Sequence, residues 1–256
     1  MAYDAQEIAV ALSDSGLTIA AEASDLATRL RELLDRYPDV VEVGAGTGRA
    51  TLPLARTGVA IDVVEPSAQM LSVLSDRLDA EGYRDRVDLR QATFEDVDPR
   101  ARYDVVIAAQ SFHWADPATR WSRLGCLIRP EGRAFLFWNG WAINPAAHDI
   151  AAVERIYQAQ RTGLQPDTGD HRSQTSWAQS EINTEPGLAL VGADQYTWDW
   201  RLPIQDYLGL MTTTSQYALA DAASRNQLFA SLAHALGPQV DLNGRTVNLV
   251  FAPRST

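Results

Sequence analysis

The chain contains no lysine: all 22 of its basic residues are arginine, set against 33 acidic ones, for a formal net charge of −11. So large an acidic excess repels nucleic acid and anionic membrane at long range, and neither partner is expected. The single cysteine, Cys126, excludes an intramolecular disulfide and any zinc site built from cysteines, and no metal site is expected. No apolar run approaches the roughly 18 residues of a spanning helix, and the opening M-A-Y-D-A-Q-E has no basic region followed by an apolar core. These absences lead to the expectation of a cytoplasmic protein acting on a small molecule. Its oligomeric state is not legible. What is present is ordinary for an enzyme-sized chain: 256 residues, 46% of them hydrophobic, can fill one α/β domain with an insertion.

The stretch from Val40 to Gly48, V-V-E-V-G-A-G-T-G, is where chemistry first shows. Val40, Val41 and Val43 suit a buried parallel strand, and Gly44, Gly46 and Gly48 form a turn whose backbone a ligand can approach. The following R-A-T-L-P-L-A-R fits a short helix with Pro53 near its first turn. A dinucleotide site wants G-x-G-x-x-G, whereas this chain has G-x-G-x-G with Arg49 at the third glycine position, so a nicotinamide cofactor is disfavoured.

A second strand is expected over Val59 to Glu65, ending at Pro66 and followed by a helix from Ser67 to Leu78. Glu65 would then sit at the carboxyl edge of the sheet, where a carboxylate can accept from both hydroxyls of a ribose; the plainer alternative is an acidic residue favouring the next helix N-terminus. Arg86 to Gln91 reads as a third strand and Tyr103 to Ala109 as a fourth, leading into Q-S-F-H-W-A-D. A fifth strand is expected over Ala134 to Trp138, after a turn at R-P-E-G-R. Before the first strand, residues 1–37 read as a helical arm. Beyond Trp138 the pattern changes to a helix around His148 to Arg161, a polar loop, and an aromatic strand containing Tyr196, Trp198 and Trp200. Helices over Gln205 to Thr214 and Ala222 to Leu236, and a closing strand from Arg245, complete the chain.

Together, V-V-E-V-G-A-G-T-G, Glu65, Thr93-Phe94-Glu95 and Q-S-F-H-W-A-D resemble the class I S-adenosylmethionine-dependent methyltransferases, and within them the small-molecule enzymes related to the trans-aconitate methyltransferase group. The resemblance covers about Pro38 to Trp138. It departs from the family pattern in two places: Glu131 stands at the first glycine of the usual L-x-P-G-G, and the N-terminal Tyr and Arg-Pro of many relatives are absent. It implies an α/β fold, a doubly wound Rossmann-like sheet of seven strands whose last strand is antiparallel. The expected division is an arm (1–37), a cofactor core (38–138), a mostly helical cap insertion (139–202) and C-terminal helices with the closing strand (203–256).

The same resemblance implies S-adenosylmethionine as cofactor and S-adenosylhomocysteine as product, with in-line displacement at the sulfonium methyl by a small-molecule oxygen, nitrogen or carbon. The alternative is the same scaffold acting as a cyclase or binding protein. The pattern assigns Glu42, Gly44, Ala45, Gly46, Thr47 and Gly48 to the methionine part, Glu65 to the ribose with Pro66 and Met70 nearby, and Thr93, Phe94 and Glu95 to adenine. Gln110, Ser111 and Phe112 fall beside the methyl group. Phe94 could equally turn into the core. His113 is the best single choice for a base, though a substrate donor or a packing histidine are open alternatives. Trp114, Trp138, Trp141, His148 and Arg172 are expected to line the acceptor, with Arg120 or Arg172 able to bind an acid.

Overall fold

A computed structural model describes residues 39–160, 163–166, 176–182, 185–212 and 215–254. The expected N-terminal arm and Arg172 lie outside these. Seven strands, β1 (Val40–Val43), β2 (Ile61–Val64), β3 (Val87–Arg90), β4 (Tyr103–Ala109), β5 (Ile128–Ile143), β6 (Leu188–Pro203) and β7 (Gln239–Pro253), form one sheet in the order β3-β2-β1-β4-β5-β7-β6. The chain winds outward from β1 to β3 on one side, then returns to start β4 on the other. β1 is parallel to both β2 and β4. The carboxyl end of β1 is therefore the topological switch point, the place where open α/β sheets leave a crevice for ligands.

β1 is buried throughout, as a strand covered on both faces must be, and β4 is buried over six of its seven residues. Helix α1 (Thr51–Arg56) carries Pro53 in its first turn, where the missing N–H costs no helical bond. Helix α2 (Ala68–Glu81) is capped by Ser67, whose hydroxyl accepts from the Met70 amide, and ends at Gly82 in the left-handed region, φ +76°. Helix α3 (Arg120–Leu127) leads straight into β5.

The R-P-E-G-R turn expected before the fifth strand is instead absorbed into β5. The β4–β5 pairing jumps from Tyr103 with Ile128 to Val105 with Arg133, leaving Arg129 to Gly132 as an irregularity. Pro130 cannot donate to the ladder, and a Cβ on Gly132 would come within 2.7 Å of the Asp104 carbonyl oxygen, so the chain bends there without leaving the strand.

The molecule divides into two compact units. One comprises the described residues up to Trp138, those from 176 to Tyr196 and those from Thr246 onward, including helix α5 (Ser176–Ile182). The other comprises the described residues from Asn139 to 166 and from Thr197 to Arg245. It holds helices α4 (Ile150–Gln160), α6 (Ile204–Thr212), α7 (Ser215–Ala218) and α8 (Ala222–Leu236) around Val153, Tyr157, Tyr207, Met211, Leu228 and Leu232. The second unit is thus built from two chain segments, not from the single insertion over 139–202. Sequence periodicity marks helices but not which distant helices share a core.

Candidate functional site

The register of β1 on β2 explains how the glycine turn and Glu65 meet. Val43 lies opposite Val64, so Gly44 and Glu65 leave the sheet side by side, with the Gly44 amide donating to the Val64 carbonyl at 2.7 Å. Glu65, 5% exposed, then accepts twice from backbone: the Gly46 amide reaches its Oε2 and the Ser67 amide its Oε1, both at 2.9 Å. The carboxylate ties the middle of the glycine turn to the start of α2. Each oxygen keeps further lone-pair capacity for a ligand hydroxyl.

The turn glycines do different work. A Cβ on Gly44 would strike the Ser111 Cβ at 2.4 Å, and one on Gly48 would strike Leu74 Cδ1 at 2.2 Å. At Gly46, φ +57°, the only atom among the described residues that a Cβ would approach is the Met70 sulfur, at 3.9 Å. The outer two glycines therefore let loops pack, and the middle one leaves open backbone where a ligand can lie. Arg77 of α2 donates to the Thr47 carbonyl at 2.8 Å and holds the turn from behind.

Glu42 is 1% exposed, and its Oε2 accepts from the Thr51 hydroxyl at 2.6 Å. Burial pushes its carboxyl up to about 7; the Thr51 hydrogen bond works against this and the neighbouring Glu65 charge with it. Sequence reading had no signal for Thr51 as the partner of Glu42.

Beyond β3, Thr93 is spent locally: its amide and hydroxyl both donate to Asp96, at 2.9 and 2.8 Å, in a capping box. Those two bonds hold the Asp96 carboxyl below the usual range. Glu95 accepts from the Asp116 amide at 2.9 Å and so braces the loop after β4. The rings of Phe94 and Phe112 lie in the core, 6% and 1% exposed, edge to face at 5.8 Å. Neither ring offers a face to a ligand, so the adenine contact expected of Phe94 is not made by its ring, and Phe112 can reach the site only through its backbone. A single 3₁₀ turn does not reveal from sequence which side chain points inward.

Gln110, at the end of β4, is the one non-glycine residue with positive φ among the described residues, +57°. Such strain persists where the surroundings over-determine it and tends to accompany function. Its amide donates to the Phe137 carbonyl at 2.9 Å, and the next residue, Ser111, donates its hydroxyl to the Val43 carbonyl at 2.5 Å. The loop after β4 is thereby fastened to the end of β1. His113 and Trp114 follow on an exposed 3₁₀ turn, with Trp114 76% exposed.

The indole of Trp138, 5% exposed, donates from Nε1 to Nδ1 of His113 at 3.4 Å. Trp138 meets Trp177 at right angles, 5.6 Å between centroids, and Arg120 lies over Trp177 at 4.2 Å. Partial burial and then the Arg120 charge hold the His113 pKa below the ordinary histidine value. Arg120 itself is committed: buried, it forks onto both oxygens of Glu181, which also accepts from Trp121 at 2.7 Å. It is not available to bind an acid. Glu181, 61 residues away, gave no sequence signal.

Trp141 and His148 belong to the second unit. His148 accepts the Asp241 amide on Nε2 at 2.9 Å, and burial lowers its pKa against the pull of Asp241. Its acceptor edge is used in packing, and the substrate contact expected of it is not supported. Trp141 packs partly buried against the core of that unit.

This strand order, with a glycine turn at the switch point and an acidic residue at the end of β2, is that of a Rossmann-like α/β fold. Residues 41–134 match the methyltransferase domain family. The chain is 35% identical over 167 residues to an uncharacterized methyltransferase of Mycobacterium tuberculosis strain H37Rv, a match covering 61% of this chain and 64% of that protein. The chain thus spans just under two thirds of the length of that relative. It is 31% identical over 94 residues, 36% of each chain, to a ubiquinone biosynthesis O-methyltransferase of Bradyrhizobium diazoefficiens. Among solved structures, a protein described as a type II methyltransferase from Anaeromyxobacter dehalogenans superposes with a TM-score of 0.59 at 21% identity, over 87% of this chain and 94% of that one.

Proposed function

We propose that the chain transfers the methyl group of S-adenosylmethionine to a small-molecule acceptor, releasing S-adenosylhomocysteine, with no nucleic acid or membrane partner. The observation that supports this reading is the clamp of Glu65 on Gly46 beside a Gly46 backbone that the described residues leave open. A cradle with bare backbone and a carboxylate suits a nucleoside with free ribose hydroxyls and a methionine tail better than a pyrophosphate, which wants the G-x-G-x-x-G spacing. The turn backbone around Gly46 would hold the methionine part and Glu65 the ribose hydroxyls, while Glu42, buried and bonded to Thr51, supports the turn without touching the ligand. The cofactor, when bound, supplies an already activated methyl group, so orientation of the acceptor accounts for much of the acceleration.

The residues of the chain do the orienting. Ser111 fixes the loop after β4 to the end of β1, the strained Gln110 fixes it to β5, and that loop carries His113 and Trp114. The similarity to an O-methyltransferase favours oxygen acceptors, and the resemblance to the trans-aconitate methyltransferase group favours small acids within that class. The test is incubation with S-adenosylmethionine labelled in the methyl group and a panel of phenols, amines and carboxylic acids. Transfer of label to an acceptor is expected; cofactor binding without transfer to any of them would favour a cyclase or binding protein on the same scaffold.

A further inference from the structure

His113 stands where an acceptor is expected, and its protonation pattern decides what it can offer. An indole N–H donates and never accepts, so the ring nitrogen facing Trp138, Nδ1 at 3.4 Å, must be bare. A neutral imidazole with a bare Nδ1 carries its proton on Nε2. Among the described residues Nε2 has no hydrogen-bond partner. Trp138 is itself fixed, 5% exposed and set perpendicular to Trp177, which in turn stacks under the Arg120–Glu181 pair. The same guanidinium, by its charge, opposes a second proton on the ring.

We propose that Trp138 is a positioning residue that fixes His113 as its Nε2–H tautomer, so that the histidine presents a hydrogen-bond donor to the acceptor molecule. This rests on the methyl-transfer reading only for the identity of the molecule that meets the donor. The matching acceptor class is one that turns an oxygen lone pair toward the loop after β4, such as a carboxylate or a carbonyl-bearing compound, and that needs no proton removed by His113. A base role would require the exposed nitrogen to be the bare one.

The experiment is long-range ¹H–¹⁵N correlation of the imidazole rings in the full chain labelled with ¹⁵N-histidine, at neutral pH and without ligand. The His113 signals are assigned by their loss in His113→Gln. The expected result is a bare Nδ1 and a protonated Nε2 at His113. His148 is an internal reference of the opposite kind, because its Nε2 accepts the Asp241 amide and its proton must sit on Nδ1. In Trp138→Phe the His113 tautomer ratio should shift toward Nδ1–H by about five-fold, the worth of one ordinary hydrogen bond, while the backbone amide signals of β1 and β4, read from a uniformly ¹⁵N-labelled sample, stay in place and report an intact first unit. A protonated Nδ1 at His113 in the unsubstituted chain overturns the proposal. So does a tautomer ratio that Trp138→Phe leaves unchanged with the β1 and β4 amide signals intact. Should Trp138→Phe unfold, Trp138→Leu, which also lacks the indole N–H, takes its place with the same expected shift. The tautomer is read without cofactor, so a chain that fails to bind S-adenosylmethionine and a chain with the other tautomer are separate results.

Discussion

Replacing Glu42 by Gln should make the protein more stable at pH 8 and leave it nearly unchanged near pH 4. Glu42 is 1% exposed, and burial raises its carboxyl from 4.5 to about 7. Between those values the unfolded chain has released this proton and the native chain retains it. The native state then binds more protons than the unfolded one, so stability falls as pH rises through the window and levels off above about 7. The interval corresponds to about 3 kcal/mol at its full extent. A glutamine keeps an oxygen for the Thr51 hydroxyl and has no charge to bury, which removes that loss. Urea denaturation of both proteins at intervals from pH 4 to pH 8 measures it. Because all other titrating groups are shared, the difference curve isolates Glu42: near zero at the acid end, rising to about 3 kcal/mol at pH 8. A difference that is the same at pH 5 and pH 8 would refute the buried, proton-retaining state.

Gly48→Ala must enter the left-handed region at φ +86° and meet Leu74 Cδ1 at 2.2 Å; strain and overpacking together should lower stability by about 2–5 kcal/mol, and a thermal midpoint equal to the parent's would contradict this packing. Glu181→Ala strips the buried Arg120 of its carboxylate and should destabilise by about 3 kcal/mol in denaturant unfolding, whereas a surface ion pair would lose less than about 1 kcal/mol. His113 should take up its second proton only below the ordinary histidine range, since burial and Arg120 both oppose the charge; an NMR titration midpoint above that range would count against the Arg120 neighbourhood described here.

Central strands and the glycine turn were legible because buried parallel strands are continuous apolar runs and glycines mark backbone that must come close to something. Val40 to Val43 and Tyr103 to Ala109 became β1 and β4, and Glu65 fell at the end of β2 where the pattern put it. Positions within short turns were less legible. Phe94 and Phe112 could face ligand or core with the same sequence, and both rings face the core. Long-range pairing left no trace at all: Arg120 finds Glu181, His148 finds Asp241, and residues on both sides of β6 join the second unit. Local patterns specify elements, whereas such contacts depend on how elements are brought together.

The central claim, that the glycine turn and Glu65 form a cradle for S-adenosylmethionine, is tested most directly by calorimetric titration of the full chain with S-adenosylmethionine, S-adenosylhomocysteine and NAD, repeated on Glu65→Ala. Both adenosyl compounds should bind one per chain and NAD should not. The substitution should weaken adenosyl binding by at least about ten-fold, as expected for lost hydrogen bonds to a charged group. Binding of NAD without affinity for either adenosyl compound, or adenosyl binding that Glu65→Ala leaves unchanged, would contradict it.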